Sequence, residues 1–239
     1  MIQVATLSLF RFDGVFSRLG AFAMMGLARW PLSRLNGLEF WKLCGSGTGE
    51  GFTPRPNTAV WAVLCVWSDE KTAQSLLKSA SPFRWYRNHA CEHWTVFLRP
   101  ISSRGAWSGQ NPFHIDSPTP TGSLTAALTR ATLKPKILMR FWRRVPDISQ
   151  MIGSNSDVLM KVGLGEVPFL NQITFSIWPD TGSMAAFARH PGPHSEAVKA
   201  VREGNWFREE LYARFDVINE AGHWEGKHPV VLKEGQDNT

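Results

Sequence analysis

The stretch FSIWPDTGSMAAFARHPGPHSEAVKAVREGNWF, residues 175 to 207, carries a helical pattern that stops at Pro191-Gly192-Pro193 and restarts on His194. A histidine there has two readings. It can close off a helix start as a polar residue, or it can be an axial ligand for a metal cofactor. One residue past Pro193, in a first helical turn, it has a rigid backbone and a defined direction. Ala197, Val198 and Val201 share a face that could line a pocket, while Glu196, Lys199 and Arg202 face water or a polar rim. Arg189 and Arg202 are placed to meet the carboxylates of a bound macrocycle.

Other candidate chemistry is weaker. His89 and His93 lie four apart in RNHACEHW, a spacing that can bring both onto one helical face for zinc. No third ligand stands close in sequence and there is no HExxH pattern, so solvated or core-edge histidines are expected. His114, His223 and His228 sit in loop-like segments, and His190 directly precedes the Pro-Gly break. Cys44, Cys65 and Cys91 are widely spaced and odd in number, which fits free thiols in a reducing compartment. GSGTGEG at 45–51 resembles a phosphate loop but lacks GK[ST] and any GxGxxG opening a helix. Its degenerate copy GLGEVPF at 163–169 makes a hairpin turn the expectation for both. Glu50 and Glu166 are then turn residues that fix the hairpins by hydrogen bonding rather than catalytic carboxylates. No nucleophile elbow or Ser-His-Asp order appears.

Composition limits the partners. With 239 residues, 43% hydrophobic and 19% charged, the chain is globular and large enough for a substantial core. Eleven Trp and 15 Phe against two Tyr fit apolar cavities or apolar ligand contacts as well as an ordinary core. The net charge of +6 permits attraction to anionic lipid, but the basic residues are dispersed apart from FWRRVP at 141–146, which argues against nucleic acid. The N-terminus lacks a signal-peptide pattern. The most apolar run, AVWAVLCVW at 59–67, falls well short of the about 20 residues a bilayer span needs. A cytoplasmic protein is expected, with peripheral membrane contact open.

The elements that must position these residues are written twice. GAWSGQNPF at 105–113 returns as GHWEGKHPV at 222–230, 117 positions on. GTGEGF at 47–52 returns as GLGEVPF, VLCVWSDEKTA at 63–73 as TFSIWPDTGSM at 174–184, and ARWP at 28–31 as RRVP at 143–146. The expected fold is α+β, a tandem duplication of two ferredoxin-like βαββαβ units packed as an intramolecular two-sheet barrel with helices outside. The first repeat covers 1–113, a Pro/Ser/Thr-rich linker 114–123, and the second repeat 124–239. In the second repeat the spacing predicts strands at 125–133, 157–166, 171–179 and 211–218, and helices at 134–152, 181–190 and 194–209. In the first it predicts strands within 3–12, 39–45, 58–67 and 94–101, with a helix over roughly 15–35. Aligning the halves from Trp67 and Trp178 across a gap sets Phe83 opposite His194, which fits the ligand reading, in which one half would carry the ligand and the other would fill the equivalent space.

The motifs FWKLCGSGTGEGFTPRPNTAVWAVL, WTVFLRP, RGAWSGQNPF, LTRAT, RFWRRVP, GEVPF, QITFSIWPD, AAFAR, GPH and AVREGNWFREELYARF together resemble the spheroidene monooxygenase family, acyclic-carotenoid 2-ketolases of photosynthetic bacteria. The resemblance runs from Leu7 to Val217. It implies a haem b protein that uses O2 and electrons from a donor such as reduced ferredoxin to hydroxylate C-2 of a carotenoid and carry it on to the ketone. More loosely, the second half resembles haem-binding dimeric α+β barrel proteins, in which a strand bearing Trp precedes a helix whose histidine ligates iron. That pattern falls on Trp178 and His194, with Arg189 and Arg202 beside the haem. Trp178, Thr129 and Arg130 are then expected on the oxygen-binding side, and Cys44 and Cys65 rank below His194 as ligands. A peroxidase- or dehydratase-like haem enzyme, a non-catalytic haem or apolar-ligand carrier, and a cofactor-free monooxygenase are the competing readings.

Overall fold

The computed structural model describes residues 2–49, 53, 55–120, 124–139, 141–142, 157–189, 204 and 206–230. The first half runs β1 (Val4–Arg11), α1 (Val15–Leu27), α2 (Arg29–Leu32), β2 (Leu38–Gly47), β3 (Pro56–Trp67), α3 (Glu70–Ser79), α4 (Ser81–His89) and β4 (Glu92–Gly105). The second runs β5 (Thr125–Leu133), a 3-10 turn (Pro135–Ile137), β6 (Met160–Gly165), β7 (Asn171–Trp178), α5 (Thr181–Arg189) and β8 (Phe207–Gly222). The strands close an antiparallel barrel in the order β1-β3-β2-β6-β7-β5-β8-β4. Read within each half, that is β4-β1-β3-β2 and β8-β5-β7-β6, one order used twice.

The barrel is one sheet, not two packed face to face. β4 and β8 pair from Trp94↔Gly222 to Gly105↔Leu211, and Arg99 and Asp216, opposite one another in that register, form an ion pair. The other joint is short. β2 meets β6 at Gly45↔Gly165 and Ser46↔Leu164. Because strand side chains alternate between faces, Leu7, Leu9, Val96, Leu128, Phe175 and Phe215 fill the interior. On the outside, Phe10, Phe12, Trp61, Val63, Cys65 and Trp67 pack beneath α1 to α4 in a second cluster.

The sequence repeats become local structure. Gly105 and Gly222 both have positive φ, 94° and 85°. An added Cβ would stand 2.1 Å from the Glu210 carbonyl oxygen at the first and 2.3 Å from that of His93 at the second. No side chain fits either place, since a backbone carbonyl of the paired strand stands there. Each glycine leads into a tight turn. Trp107 N–H donates to Gln110 O at 2.7 Å and Trp224 N–H to Lys227 O at 2.8 Å. Their central residues Ser108-Gly109 and Glu225-Gly226 are all left-handed, as a type I′ turn requires. Asp69 and Asp180 cap α3 and α5, accepting from Thr72 N–H at 2.9 Å and Ser183 N–H at 2.7 Å.

Several boundaries differ from the sequence expectation. The helix over 15–35 is two helices meeting at Ala28. Residues 207–209, expected to end a helix, already belong to β8, whose start is held by Leu133↔Phe207 and Thr132↔Glu209 pairing with β5. RNHACEHW is not one helix: α4 ends at His89 and β4 begins at Glu92, so His89 and His93 share no helical face. The connector after β4 is tied down, with His114 N–H donating to Gln3 Oε1 at 2.8 Å and Gln3 Nε2 to Pro112 O at 3.3 Å. Of the helix expected over 134–152, residues 138–139 and 141–142 are helical and 140 and 143–152 lie outside the described residues.

Candidate active site

The two halves differ on the outer face of the sheet. On β3 the outward row is Trp61, Val63, Cys65 and Trp67; at the corresponding positions β7 carries Gln172, Thr174, Ser176 and Trp178. On β1 the outward row is Thr6, Ser8 and Phe10; at the register-equivalent positions β5 presents Ala127, Thr129 and Ala131. The faces differ in size at Trp61 against Gln172 and at Phe10 against Ala131, and in polarity alone at the near-isosteric pairs Val63 against Thr174 and Cys65 against Ser176. Thr129 and Thr174 are register partners and half-buried. Trp178 bounds this face, buried, its indole N–H donating to Ser176 Oγ at 2.9 Å and its ring 5.1 Å from that of Phe187 on α5.

Of the three residues expected on the oxygen-binding side, Thr129 and Trp178 share this outer face and Arg130 does not. It follows Thr129 along the strand and therefore points inward. Arg130, 4% exposed, is paired with Glu209 and with Glu166 at 3.4 Å. Glu166 also accepts the Trp107 indole N–H at 2.9 Å and pairs with Lys42 at 3.1 Å. Glu209 accepts the Ser108 and Gly109 N–H groups at 3.1 and 2.7 Å. Burial pushes the Glu209 carboxyl up, but Gly109, Ser108 and Arg130 together outweigh it and hold the group below the usual carboxylate range. Glu166 is thus no hairpin brace. Its partners come from β2, β5 and the Trp107 turn, far away in sequence, which is why sequence spacing could not find the cluster; its recurrence beside Glu50 was the one available signal.

Glu166 also borders a cavity of about 660 Å3 over the β2–β6 joint. Val15, Leu19, Phe22 and Met25 of α1 form one wall, and Trp142, Pro168 and Phe169 form part of the other. The cavity extends to Gln172, the first residue of the outward row that continues through Thr174 and Ser176 to Trp178. Its walls are mainly apolar, with Arg18, Arg29 and Glu166 the charged residues lining it among the described residues.

His194, Arg202 and His190 lie outside the described residues, and Arg189 is described only as the last residue of the α5 backbone. Phe83, set opposite His194 by the repeat, is buried and lies 6.0 Å ring to ring from Trp67, filling its side of the first half. Cys44 and Cys65 are fully buried, and burial pushes both thiols up, Glu166 adding to the effect at Cys44. Neither is poised as a thiolate. Cys91 is exposed, its thiol donating to Arg11 O at 3.2 Å. Ellman's reagent is accordingly expected to titrate one thiol in the native protein and the other two only on unfolding. Among the described residues no group of three or more His, Cys, Asp or Glu side chains could hold a metal ion.

The sequence is 50% identical over 230 residues to the spheroidene monooxygenase of Cereibacter sphaeroides, spanning 96% of this chain and 71% of that protein. It is 46% identical to that of Rhodobacter capsulatus, over 97% of both chains. The chain belongs to the spheroidene monooxygenase family. A third relative, from Rubrivivax gelatinosus, is 35% identical over 80% of this chain and 73% of its own. No family model matches the sequence. In fold, this spheroidene monooxygenase family member is similar to an aldoxime dehydratase crystal structure, with a TM-score of 0.64 at 13% identity over 90% of this chain and 82% of that one. An aldoxime dehydratase in complex with butyraldoxime gives 0.60 at 10% identity, over 91% and 80%. The family is one of oxidoreductases, and the fold likeness independently supports the barrel.

Proposed function

We propose that the protein is a haem-dependent monooxygenase of an acyclic carotenoid, hydroxylating it at C-2 and carrying it on to the ketone with O2 and electrons from a donor such as reduced ferredoxin. The observation that carries the reading is the apolar cavity ending at Gln172, in a chain whose relatives are named for a carotenoid. The residues present fit a haem b on the sheet side. Where the first half carries Trp61 and Phe10, the second carries Gln172 and Ala131, smaller side chains at the cavity end of a face, more polar at Thr174 and Ser176, against which a flat macrocycle could lie. His194 would hold the iron through a ring nitrogen, and Arg189 and Arg202 would meet the carboxylates of the macrocycle. When bound, the haem supplies activation of O2, chemistry that no side chain offers. The chain's own residues do the rest. Phe22, Trp142 and Phe169 hold the apolar chain and exclude water, and Thr129 and Trp178 border the face where it reacts. Arg130, inside the barrel, is a positioning residue that holds Glu166 at the cavity wall.

The same reading takes the two halves as copies of one ferredoxin-like unit, supported by the repeated strand order and the paired Trp107 and Trp224 turns. Two measurements test the function. The reduced protein with CO is expected to give a histidine-type difference spectrum, and a thiolate-type spectrum would move the ligand to a cysteine. Product analysis is expected to find an oxygenated carotenoid only when O2 and reductant are both present; autoxidation without product would leave a haem carrier.

A further inference from the structure

The helix α1 is apolar where a surface helix should be polar. Its buried residues are Ala21 and Met24, and Gly20 lets it approach the Trp85 ring. Outward it presents Val15, Phe16, Leu19, Phe22 and Leu27, and α2 adds Trp30. Phe16 is 89% exposed, Leu27 69% and Trp30 64%, so the patch is open and continuous rather than a few stray side chains. Ser17 and Arg18 are the only non-apolar residues of α1 apart from its glycines.

The charges around the patch choose its occupant. Between Gly14 and Leu38 the chain has Arg18, Arg29 and Arg34 and no carboxylate. The Arg34 guanidinium lies over the Trp30 ring at 4.0 Å, a cation beside an amphipathic indole of the kind that settles at the headgroup level. A second copy of the chain docked here would bring like-charged arginines together, whereas an anionic bilayer meets apolar residues and arginines alike. The same helix then turns Val15, Leu19, Phe22 and Met25 toward the cavity. We infer that the α1–α2 face docks on an anionic lipid bilayer and opens the cavity to apolar molecules dissolved in it.

This inference rests on the proposed carotenoid substrate for what enters, though not for the docking. C-2 lies near an end of an acyclic carotenoid, so one end can enter the cavity while the rest of the polyene stays in the bilayer. No bulk-water transfer of an insoluble molecule is then needed.

The test uses sedimentation with vesicles of phosphatidylcholine alone or mixed equally with phosphatidylglycerol. The wild type is expected to bind the mixed vesicles better and to release as salt rises, within the screening range of about 0.1–1 M. The Phe16→Ser/Leu27→Ser/Trp30→Ser variant, altered only outside the cavity lining, is expected to bind about tenfold or more weakly. Arg34→Glu, which leaves the apolar patch in place, should lose the preference for anionic vesicles. The triple variant should oxygenate carotenoid in detergent like the wild type but fail with carotenoid held in vesicles. Equal vesicle binding by wild type and triple variant overturns the inference. So does a wild-type dimer that ignores vesicles and becomes monomeric in the triple variant. Vesicle binding without product from carotenoid in either form would instead overturn the functional reading and leave the docking surface standing.

Discussion

On the proposed haem ligation, purified His194→Ala protein is expected to lack the Soret absorbance predicted for the wild type while remaining folded. The proposed histidine nitrogen would be the protein's bond to the iron, so its loss should drop haem stoichiometry severalfold or more. The fold is expected to survive because the barrel core is assembled from β1 to β8. His190→Ala and His89→Ala serve as controls. His89 is engaged elsewhere, its ring stacked on Trp85 at 4.4 Å and Nδ1 bonded to the Trp85 carbonyl at 2.8 Å. Both controls should keep full haem. If His194 is only a helix-end residue, alanine there should cost about 1 kcal/mol of stability and leave the haem untouched.

Arg130→Ala is expected to cost about 3 kcal/mol in urea unfolding, the lower end for breaking a buried pair, because its partners Glu166 and Glu209 remain partly exposed. The repeat provides a matched comparison. Arg11 pairs with Glu92 at 3.2 Å and with Glu225 at 3.1 Å, beside the Trp224 turn, as Arg130 pairs beside the Trp107 turn. Its side chain is far more exposed, 31% against 5%. Arg11→Ala should therefore cost no more than about 1 kcal/mol. Equal losses at the two arginines would show that burial does not decide their contribution. Acid should narrow the Arg130 difference. The Glu209 carboxyl is held below its ordinary range in the folded protein, so its contribution is complete above its unfolded value near ~4.3 and fades as pH falls through the lower folded value.

Strands were legible where alternation was strong. The expected 125–133 is β5, and 171–179 overruns β7 by only Pro179. The repeated glycine-tryptophan turns were legible as repeats, and the structure supplies the cause of the glycines in the carbonyls of the paired strand that stand against Gly105 and Gly222. The helix expected through 209 failed because the charged run Arg208-Glu209-Glu210 looks like a solvated helix end, yet pairing with β5 makes it strand. Grouping Thr129 with Arg130 failed on the two-residue period of a strand, a rule that needs no structure. The repeat marked Glu166 and the Trp and Phe content fitted a cavity, but the partners of the one and the lining of the other were not readable, since each is made by residues that only barrel closure brings together. Exposure on α1 was hidden for a similar reason: the sequence shows an apolar helix, and only packing shows which of its sides stays uncovered.

The unequal closure of the barrel has a mechanical consequence. At one junction the two halves are sewn along most of a long strand pair and cross-braced by Arg99 and Asp216; at the other, among the described residues, they touch through the backbones of Gly45-Ser46 and Leu164-Gly165. Any spreading of the hoop therefore concentrates at the second junction, where the fewest hydrogen bonds must break. The apolar cavity sits over that point, so the protein can widen around a bulky guest there while the stitched side keeps the rest of the frame in register.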